Sequence, residues 1–185
     1  MSDLPHILVF AGPNGSGKST VTKAWEIVGL YINADDIKTR RKCSDLEAAQ
    51  EAESLRELLL REFRSFTFET VLSTERNLHL LARAKAAGYH IESVFVLTAS
   101  SELNILRVKS RVMSGGHSVP PDKVRSRYTK ALANIPMLLA LSDVFTLVDN
   151  TGSLPETLFT RKNGEQHIYP TRFWSTEEID KLIVG

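Results

Sequence analysis

Short apolar runs recur along the chain, each bounded by polar residues or glycine. Runs of about four to eight residues that are rich in apolar and β-branched side chains are typical of strands buried in a parallel sheet. The pattern predicts five such strands, at Ile7–Ala11, Leu30–Asn33, Ser65–Leu72, Ile91–Leu97 and Asp143–Val148.

Helical periodicity fills the segments between these strands. Apolar residues three and four positions apart, together with helix-start and helix-stop signals, predict at least one helix between each pair of consecutive strands. The helices are expected at Lys18–Val28, from Asp35 or Asp36 onward, and at Asp45–Phe63, Glu75–Ala87, Ser101–Met113 and Asp122–Ile135, the last kinked or ended by Pro136. Alternation of strands and helices predicts a three-layer α/β/α sandwich with a mostly parallel, five-stranded sheet.

The C-terminal segment follows a different pattern. Two strand-like stretches, Thr157–Arg161 and Gln166–Tyr169, flank the pair Asn163-Gly164, which is a strong signal for a β-hairpin. A short helix is expected from Ser175 to Ile183. We therefore expect one domain over residues 1–185, in which residues 155–185 add a small hairpin and a helix.

Composition and charge exclude several classes of protein. The 185 residues include 23 Lys or Arg and 22 Asp or Glu, so the near-neutral balance disfavours a nucleic-acid-binding protein. The single cysteine cannot form a disulfide within the chain. There is no apolar run of the ~20 residues that a membrane span needs, and the N-terminus does not resemble a signal peptide. We expect a cytoplasmic protein without a nucleic-acid or membrane partner.

A glycine-rich loop follows the first predicted strand and matches the P-loop pattern G-x-x-x-x-G-K-[ST]. Glycines let the backbone wrap closely around phosphate oxygens, and successive N–H groups can point inward. Lys18 is expected to contact the β- and γ-phosphates, and the Ser19 hydroxyl to ligate Mg²⁺. The predicted nucleotide-binding residues are Gly12, Pro13, Asn14, Gly15, Ser16, Gly17, Lys18, Ser19 and Thr20.

Acidic residues lie where the second and third strands end. Asp35 and Asp36 follow the second strand, and Glu69 lies near the end of the third. Ligands of open α/β sheets bind beyond the carboxyl ends of the strands, so an acid there can accept a proton or help to hold Mg²⁺. We expect one of the two aspartates to cap the following helix and the other to act. For Glu69 the alternative is an exposed acid at a strand edge.

Residues 107–130 carry seven Lys or Arg and a single acidic residue. Arg107 and Arg111 share one helix face, and Arg127 belongs to the next helix. Two helices joined by a Gly-Gly loop predict a lid over about residues 107–127 that brings cations to the phosphates. The alternative is a solvated basic face. His117 in the same loop either contacts an anionic substrate or has no role.

Four motifs taken together resemble the zeta toxin family, and in particular its short bacterial branch of predicted ATPases. They are GPNGSGKST, NADD, FETVLST and RVKSRVMSGGHSVPPDKVRSRY, and the resemblance covers about residues 6–150. It implies a P-loop kinase that uses ATP or GTP with Mg²⁺. Zeta toxins phosphorylate the amino-sugar hydroxyl of UDP-N-acetylglucosamine, which blocks cell-wall synthesis. The resemblance leaves an antitoxin protein open as a partner.

The resemblance also implies roles for individual residues. The family pattern I-D-x-D makes Asp35 the general base, with Asn33 in place of the first acid. Glu69 matches the glutamate that helps to bind substrate. Arg111 and Arg127 match the two arginines that contact the γ-phosphate.

The sequence therefore predicts a P-loop kinase acting on a small molecule. Asp35, Lys18, Arg111 and Arg127 are the expected catalytic residues, and the expected substrate-binding residues are Glu69, Asp36 and His117. The acceptor stays open among UDP-N-acetylglucosamine, another nucleotide sugar, a nucleoside and an antibiotic. A nucleotide-binding regulatory ATPase is the alternative from another class of protein.

Overall fold

A computed structural model describes residues 4–116 and 118–185 of the chain. The strands are β1 His6–Ala11, β2 Leu30–Ile32, β3 Phe66–Thr70, β4 His90–Leu97, β5 Val144–Asp149, β6 Glu156–Lys162 and β7 Glu165–Ile168. The helices are α1 Lys18–Thr22, α2 Ala34–Arg41, α3 Asp45–Arg61, α4 Arg76–Ala86, α5 Ser101–Met113, α6 Pro121–Ala133, α7 Ile135–Leu141 and α8 Thr176–Val184.

The strands form one sheet in the order β2-β3-β1-β4-β5-β6-β7. The first five strands of this order pair in parallel, which confirms the predicted α/β fold. Strand β6 pairs antiparallel with β5, and β7 pairs antiparallel with β6. The C-terminal hairpin thus extends the same sheet to seven strands instead of lying beside a five-stranded one. Leu158 and Phe159 of β6 are fully buried, so the hairpin shares the core.

Central strand β1 is apolar throughout because it is covered on both faces. Ile7 and Val9 belong to a large core cluster on one face, and Leu8 and Phe10 belong to a smaller cluster on the other. This alternation follows from the two-residue period of a strand. Helices α3, α4, α7 and α8 contribute to the large cluster and α1 to the small one.

Helix α1 ends at Thr22, six residues before the predicted end at Val28. The segment after it is held by side chains from elsewhere in the sheet. Thr67 Oγ1 donates a hydrogen bond to the carbonyl of Val28 (2.7 Å) and accepts one from its N–H (3.0 Å). Trp25 also packs edge-on against Phe10, with 6.1 Å between ring centroids. These contacts fix an irregular path into β2.

The segment around Pro136 divides into two helices. Helix α6 ends at Ala133, and α7 begins at Ile135 with Pro136 in its first turn. Proline is tolerated there because the first turn has no intrahelical partner for its missing N–H. Within the described residues, no helix has both the length and the apolar surface that crossing a bilayer would require.

Candidate active site

The glycine-rich loop connects β1 to α1 and adopts backbone angles that favour glycine. Gly12, Gly15 and Gly17 have φ values of 143°, 80° and 85°. A Cβ atom on Gly12 would lie 2.1 Å from the carbonyl oxygen of Val96, and one on Gly17 would lie 2.0 Å from Asn150 Nδ2. Because neither contact is sterically allowed, glycine is required at both positions.

Asn150 supports this loop from behind and was not identified from the sequence. It follows β5, and its Nδ2 donates a hydrogen bond of 2.8 Å to the carbonyl oxygen of Ser16. Asn150 and Ser16 are both buried, so the bond is shielded from water. The sequence did contain one signal for it, which is a polar residue just after an apolar predicted strand.

Lys18 folds back over the loop. Its Nζ donates hydrogen bonds to the carbonyl oxygens of Gly12 (2.7 Å) and Pro13 (3.2 Å). Burial lowers the pKa of Lys18 to about 8, while the negative charges of Glu69 and Asp35 oppose that shift. The ammonium is therefore preplaced beside the loop, where a phosphate oxygen could replace the two carbonyl acceptors.

Glu69 lies beside the P-loop hydroxyl and is not an exposed acid at a strand edge. Its Oε1 accepts hydrogen bonds from Tyr31 Oη (2.7 Å) and Thr22 Oγ1 (2.9 Å). Its Oε2 lies 3.5 Å from Ser19 Oγ. Burial and the nearby Glu69 raise the pKa of Tyr31 well above its usual value, so the phenol stays a hydrogen-bond donor. Tyr31 was not identified from the sequence, which gave it no signal beyond its place in β2.

Asp35 is the second residue of α2 and does not cap this helix. The cap is Asn33, whose Oδ1 accepts a hydrogen bond of 2.9 Å from the Asp35 N–H. The expectation that Asp35 or Asp36 caps this helix was wrong. Asn33 is in the extended conformation before the first helical residue, the position from which a side chain reaches the second N–H. Both aspartates are exposed, which leaves their carboxylates available.

The arginines of α5 and α6 approach the P-loop from one side. Arg127 Nη1 donates a hydrogen bond of 3.2 Å to Asn14 Oδ1 in the loop. Arg107 Nη2 donates one of 3.3 Å to the carbonyl of Thr151. A small apolar cluster joins the two helices through Val108 and Val124. His117, a predicted substrate-binding residue, lies outside the described residues.

One cavity of about 580 Å³ brings most of the predicted residues together. From the P-loop, its walls include Asn14, Gly15, Gly17, Lys18, Ser19 and Thr20. From elsewhere in the chain, the predicted residues on its walls are Asp35, Glu69, Arg111 and Arg127. The other loop residues, Gly12, Pro13 and Ser16, are buried and do not line the cavity. Asp36 is exposed and does not line it either.

Helix α3 forms a further wall that the sequence did not indicate. Ala48, Ala52 and Arg56 line the cavity from this helix, and Asn77 lines it from α4. Asn77 Nδ2 donates a hydrogen bond of 2.8 Å to Thr70 Oγ1 at the end of β3. The P-loop and α3 therefore both line the cavity, which suits a site that takes a donor and an acceptor.

Oxygen atoms dominate the possible metal ligands beside the P-loop. The described residues contain no group of three or more His, Cys, Asp or Glu side chains placed to hold a metal ion. Ser19 Oγ and the carboxylates of Glu69 and Asp35 do line the cavity. Mg²⁺ is usually bound by one or two protein oxygens together with substrate phosphates and water, so this sparse set fits it.

Comparison with known proteins places these features in a family. The family model described as Zeta toxin matches residues 31–173 of this chain. An uncharacterized protein of Haemophilus influenzae is 29% identical over 127 residues, which are 65% of this chain and 91% of that protein.

Solved structures with a similar fold include components of two-protein systems. A chain of the PezAT chromosomal toxin–antitoxin system of Streptococcus pneumoniae superimposes with a TM-score of 0.65 at 16% identity, over 99% of this chain and 85% of that one. A chain of the AvrRxo1-ORF1:-ORF2 complex with ATP gives 0.74 at 15% identity, over 98% of this chain and 64% of that one. At such identities the similarity concerns the fold.

Proposed function

The chain belongs to the zeta toxin family of P-loop kinases, and from this premise we propose that it transfers the γ-phosphoryl group of ATP or GTP to a hydroxyl of UDP-N-acetylglucosamine. Nucleotide-dependent phosphoryl transfer follows from the family, while the acceptor and the residue roles are the proposal. The observation that carries it is the shared cavity, which is lined by the P-loop, Asp35, Arg111, Arg127 and α3.

In this proposal the P-loop and its lysine hold the donor nucleotide. Backbone N–H groups of the loop and Lys18 Nζ bind the β- and γ-phosphate oxygens. Ser19, supported by Glu69, would hold Mg²⁺, which when bound neutralises phosphate charge. Because α1 has only five residues, the loop N–H groups contribute more than a helix dipole does.

Asp35 then acts on the acceptor. Its carboxylate accepts the proton of the acceptor hydroxyl as the oxygen attacks the γ-phosphorus. The bond between the γ-phosphorus and the β–γ bridging oxygen breaks, and the nucleoside diphosphate leaves. Arg111 and Arg127 stabilise the negative charge that spreads over the transferred oxygens. General-base and charge contributions of this kind are each about 10²–10⁴-fold in rate.

A direct assay tests this function. The protein is incubated with ATP, Mg²⁺ and UDP-N-acetylglucosamine, and both ADP release and the phosphorylated sugar nucleotide are measured by mass spectrometry. We expect ADP release to depend on the acceptor. ADP release at the same rate without any acceptor would instead support a regulatory ATPase. If phosphate is transferred only to another molecule of a metabolite extract, that molecule is the acceptor and UDP-N-acetylglucosamine is not.

We extend the proposal to a protein partner. The PezAT structure is of a toxin–antitoxin system, and AvrRxo1-ORF1 is complexed with a second protein. An antitoxin that binds this chain would be expected to cover the cavity. Expression of the chain alone and together with a candidate antitoxin, followed by growth measurement, tests this; equal growth in both cases would contradict it.

A further inference from the structure

Arg56 is a buried arginine on the α3 wall of the cavity. Only 8% of the residue is exposed, although arginine is rarely buried without a partner. It follows Ala48 and Ala52 at four-residue intervals, so the three side chains lie on one helix face. All three line the cavity, and Arg56 lies about 12 Å along the helix axis from Ala48.

No acid in the described part of the chain binds the Arg56 guanidinium directly, although the nearby Glu53 and Glu57 carboxylates favour its charged form. No hydrogen bond or ion pair joins it to another described residue, and its Nε is fully enclosed without an acceptor. The guanidinium lies over the Phe68 ring, whose centroid is 5.2 Å from Cζ. Burial lowers the pKa of Arg56, although a guanidinium stays charged at neutral pH. A buried, unpaired charge is costly, so a structural role alone does not account for it.

The acids nearest to Arg56 are engaged with other cations. Glu53 lies one turn before Arg56 on the same helix and Glu57 directly follows it, and both carboxylates turn toward α4. Glu53 forms an ion pair of 2.8 Å with Arg76, and Glu57 forms one with Arg83. Neither carboxylate hydrogen-bonds to Arg56, so the donors of its guanidinium are left for a ligand that enters the cavity.

We infer that Arg56 binds an anionic group of the phosphoryl acceptor, a phosphate or a carboxylate, and so selects anionic acceptors over neutral or cationic ones. This inference rests on the proposed phosphoryl transfer. The donor triphosphate already has Lys18, Arg111 and Arg127 among the residues that line the cavity. A guanidinium fork binds phosphate and carboxylate oxygens bidentately.

Small side chains precede Arg56 on α3, next to the space that the rest of such an acceptor would occupy. Ala48 and Ala52 line the cavity on the same helix face as Arg56, and their short side chains occupy little of its volume. The phosphorylated hydroxyl would lie near Asp35 and the anionic group near Arg56. Among the acceptors considered, a nucleotide sugar meets this requirement, whereas a nucleoside or a cationic antibiotic does not.

Inorganic phosphate is the first probe, with the P-loop saturated by the ATP analogue AMP-PNP and Mg²⁺. Thermal unfolding is measured with increasing phosphate for the wild type, Arg56→Met and Arg61→Gln. Arg61 is an exposed arginine of the same helix, so its variant controls for lost charge. Phosphate about fivefold above its dissociation constant should raise the wild-type and Arg61→Gln midpoints by about 2–4 °C more than that of Arg56→Met.

The stability of Arg56→Met without phosphate separates a binding role from a structural one. Replacing an unpaired buried charge by an apolar side chain of similar length should leave its unfolding midpoint no lower than that of the wild type. An equal phosphate-dependent shift in all three proteins, or none in any, would overturn the inference. A strongly destabilised Arg56→Met with an unchanged phosphate shift would do so as well.

The second arm measures turnover with UDP-N-acetylglucosamine. Arg56→Gln should raise KM for this acceptor about tenfold or more, with Arg56→Lys intermediate and KM for ATP unchanged within about twofold. An unchanged acceptor KM would refute the inference and leave the proposed function intact. If this acceptor is not phosphorylated at all but the phosphate shift depends on Arg56, the proposed acceptor fails and the anion site stands.

Discussion

Asp35 offers the sharpest test of the proposed chemistry at the scale of a residue. Asp35→Asn should keep nucleotide affinity within a few-fold but lower kcat by about 10²–10⁴. The fold should survive because Asn33, and not the Asp35 side chain, caps α2. Asp36→Asn is the matched control, since exposed Asp36 lies off the cavity wall. If Asp36→Asn is inactive and Asp35→Asn is normal, the general base has been assigned to the wrong aspartate.

The lowered pKa of Lys18 predicts how nucleotide affinity depends on pH. Its pKa is about 8 in the free protein, lowered by burial, and a bound phosphate favours the charged form. Affinity for ATP should therefore stay constant below about pH 8 and fall above it, by at most tenfold per pH unit, because binding must then take up a proton. Titration calorimetry at pH 9 in two buffers of different ionisation enthalpy measures that uptake.

The same shift has a consequence for stability. The lowered pKa means that the unfolded chain binds the Lys18 proton more tightly than the folded one. Between about pH 8 and the ordinary value of 10.5 the contribution of Lys18 to stability should rise with pH. A Lys18→Arg variant, charged throughout, removes both effects; an unchanged pH profile of ATP affinity in this variant would contradict the assignment to Lys18.

Residue-level prediction from sequence found candidates where spacing carries the chemistry. Six of the predicted P-loop residues, together with Glu69 and Arg127, line one cavity. It failed where the environment comes from another element. Asn33, Asp35 and Asp36 all lie at the start of α2. Because all three residue types are good helix caps, composition does not favour Asn33 over the two aspartates. Arg56 resembles any surface arginine of a charged helix until Phe68 and the cavity are known.

At the scale of elements, α5 and α6 are the proposed lid. A small apolar cluster that includes Val108 and Val124 joins them, and one hydrogen bond from Arg127 reaches the P-loop. We expect amides of residues 114–116, 118 and 119 to exchange rapidly in the free protein and more slowly with AMP-PNP and Mg²⁺. Helix α4 serves as the internal control. Strong protection of these residues before the nucleotide is added would argue against a lid that closes on binding.

Element boundaries were predictable wherever the local pattern is uninterrupted. Helix α5 has the predicted bounds Ser101–Met113, and its cap is Ser100, whose hydroxyl accepts from the Leu103 N–H. Helix α1 is shorter than its sequence suggests because Thr67, in a strand of the sheet, binds the backbone of Val28. Such a contact between distant positions has no counterpart in local periodicity.

At the scale of the whole molecule, the hairpin and the P-loop belong to one sheet. Strand β5 links them: its carboxyl end leads to Asn150, which supports the P-loop, and its free edge pairs with β6. An unpaired edge of β5 would expose backbone donors and acceptors, which the hairpin satisfies. The sequence predicted the hairpin from Asn163-Gly164 but not its place in the sheet, because pairing partners depend on which edge remains free.

This continuity predicts that residues 1–185 unfold as one cooperative unit. Phe159 of β6 is fully buried and its ring lies 6.1 Å from that of Phe145 in β5. Phe159→Ala should lower the free energy of unfolding by about 3–5 kcal/mol. The exposed hairpin variant Glu165→Ala should change it by no more than about 0.5 kcal/mol.

The chain contains two tryptophans, which report on the two ends of the unit. Trp25 packs near the P-loop against Phe10, and buried Trp174 precedes α8. In Trp174→Phe and Trp25→Phe backgrounds, the fluorescence of the remaining indole should follow the same urea transition, because one sheet joins both sites. Phe159→Ala should move both midpoints equally. If it lowers the midpoint reported by Trp174 but leaves that reported by Trp25 in place, the hairpin and C-terminal helix form a separate unit, and a single domain is ruled out.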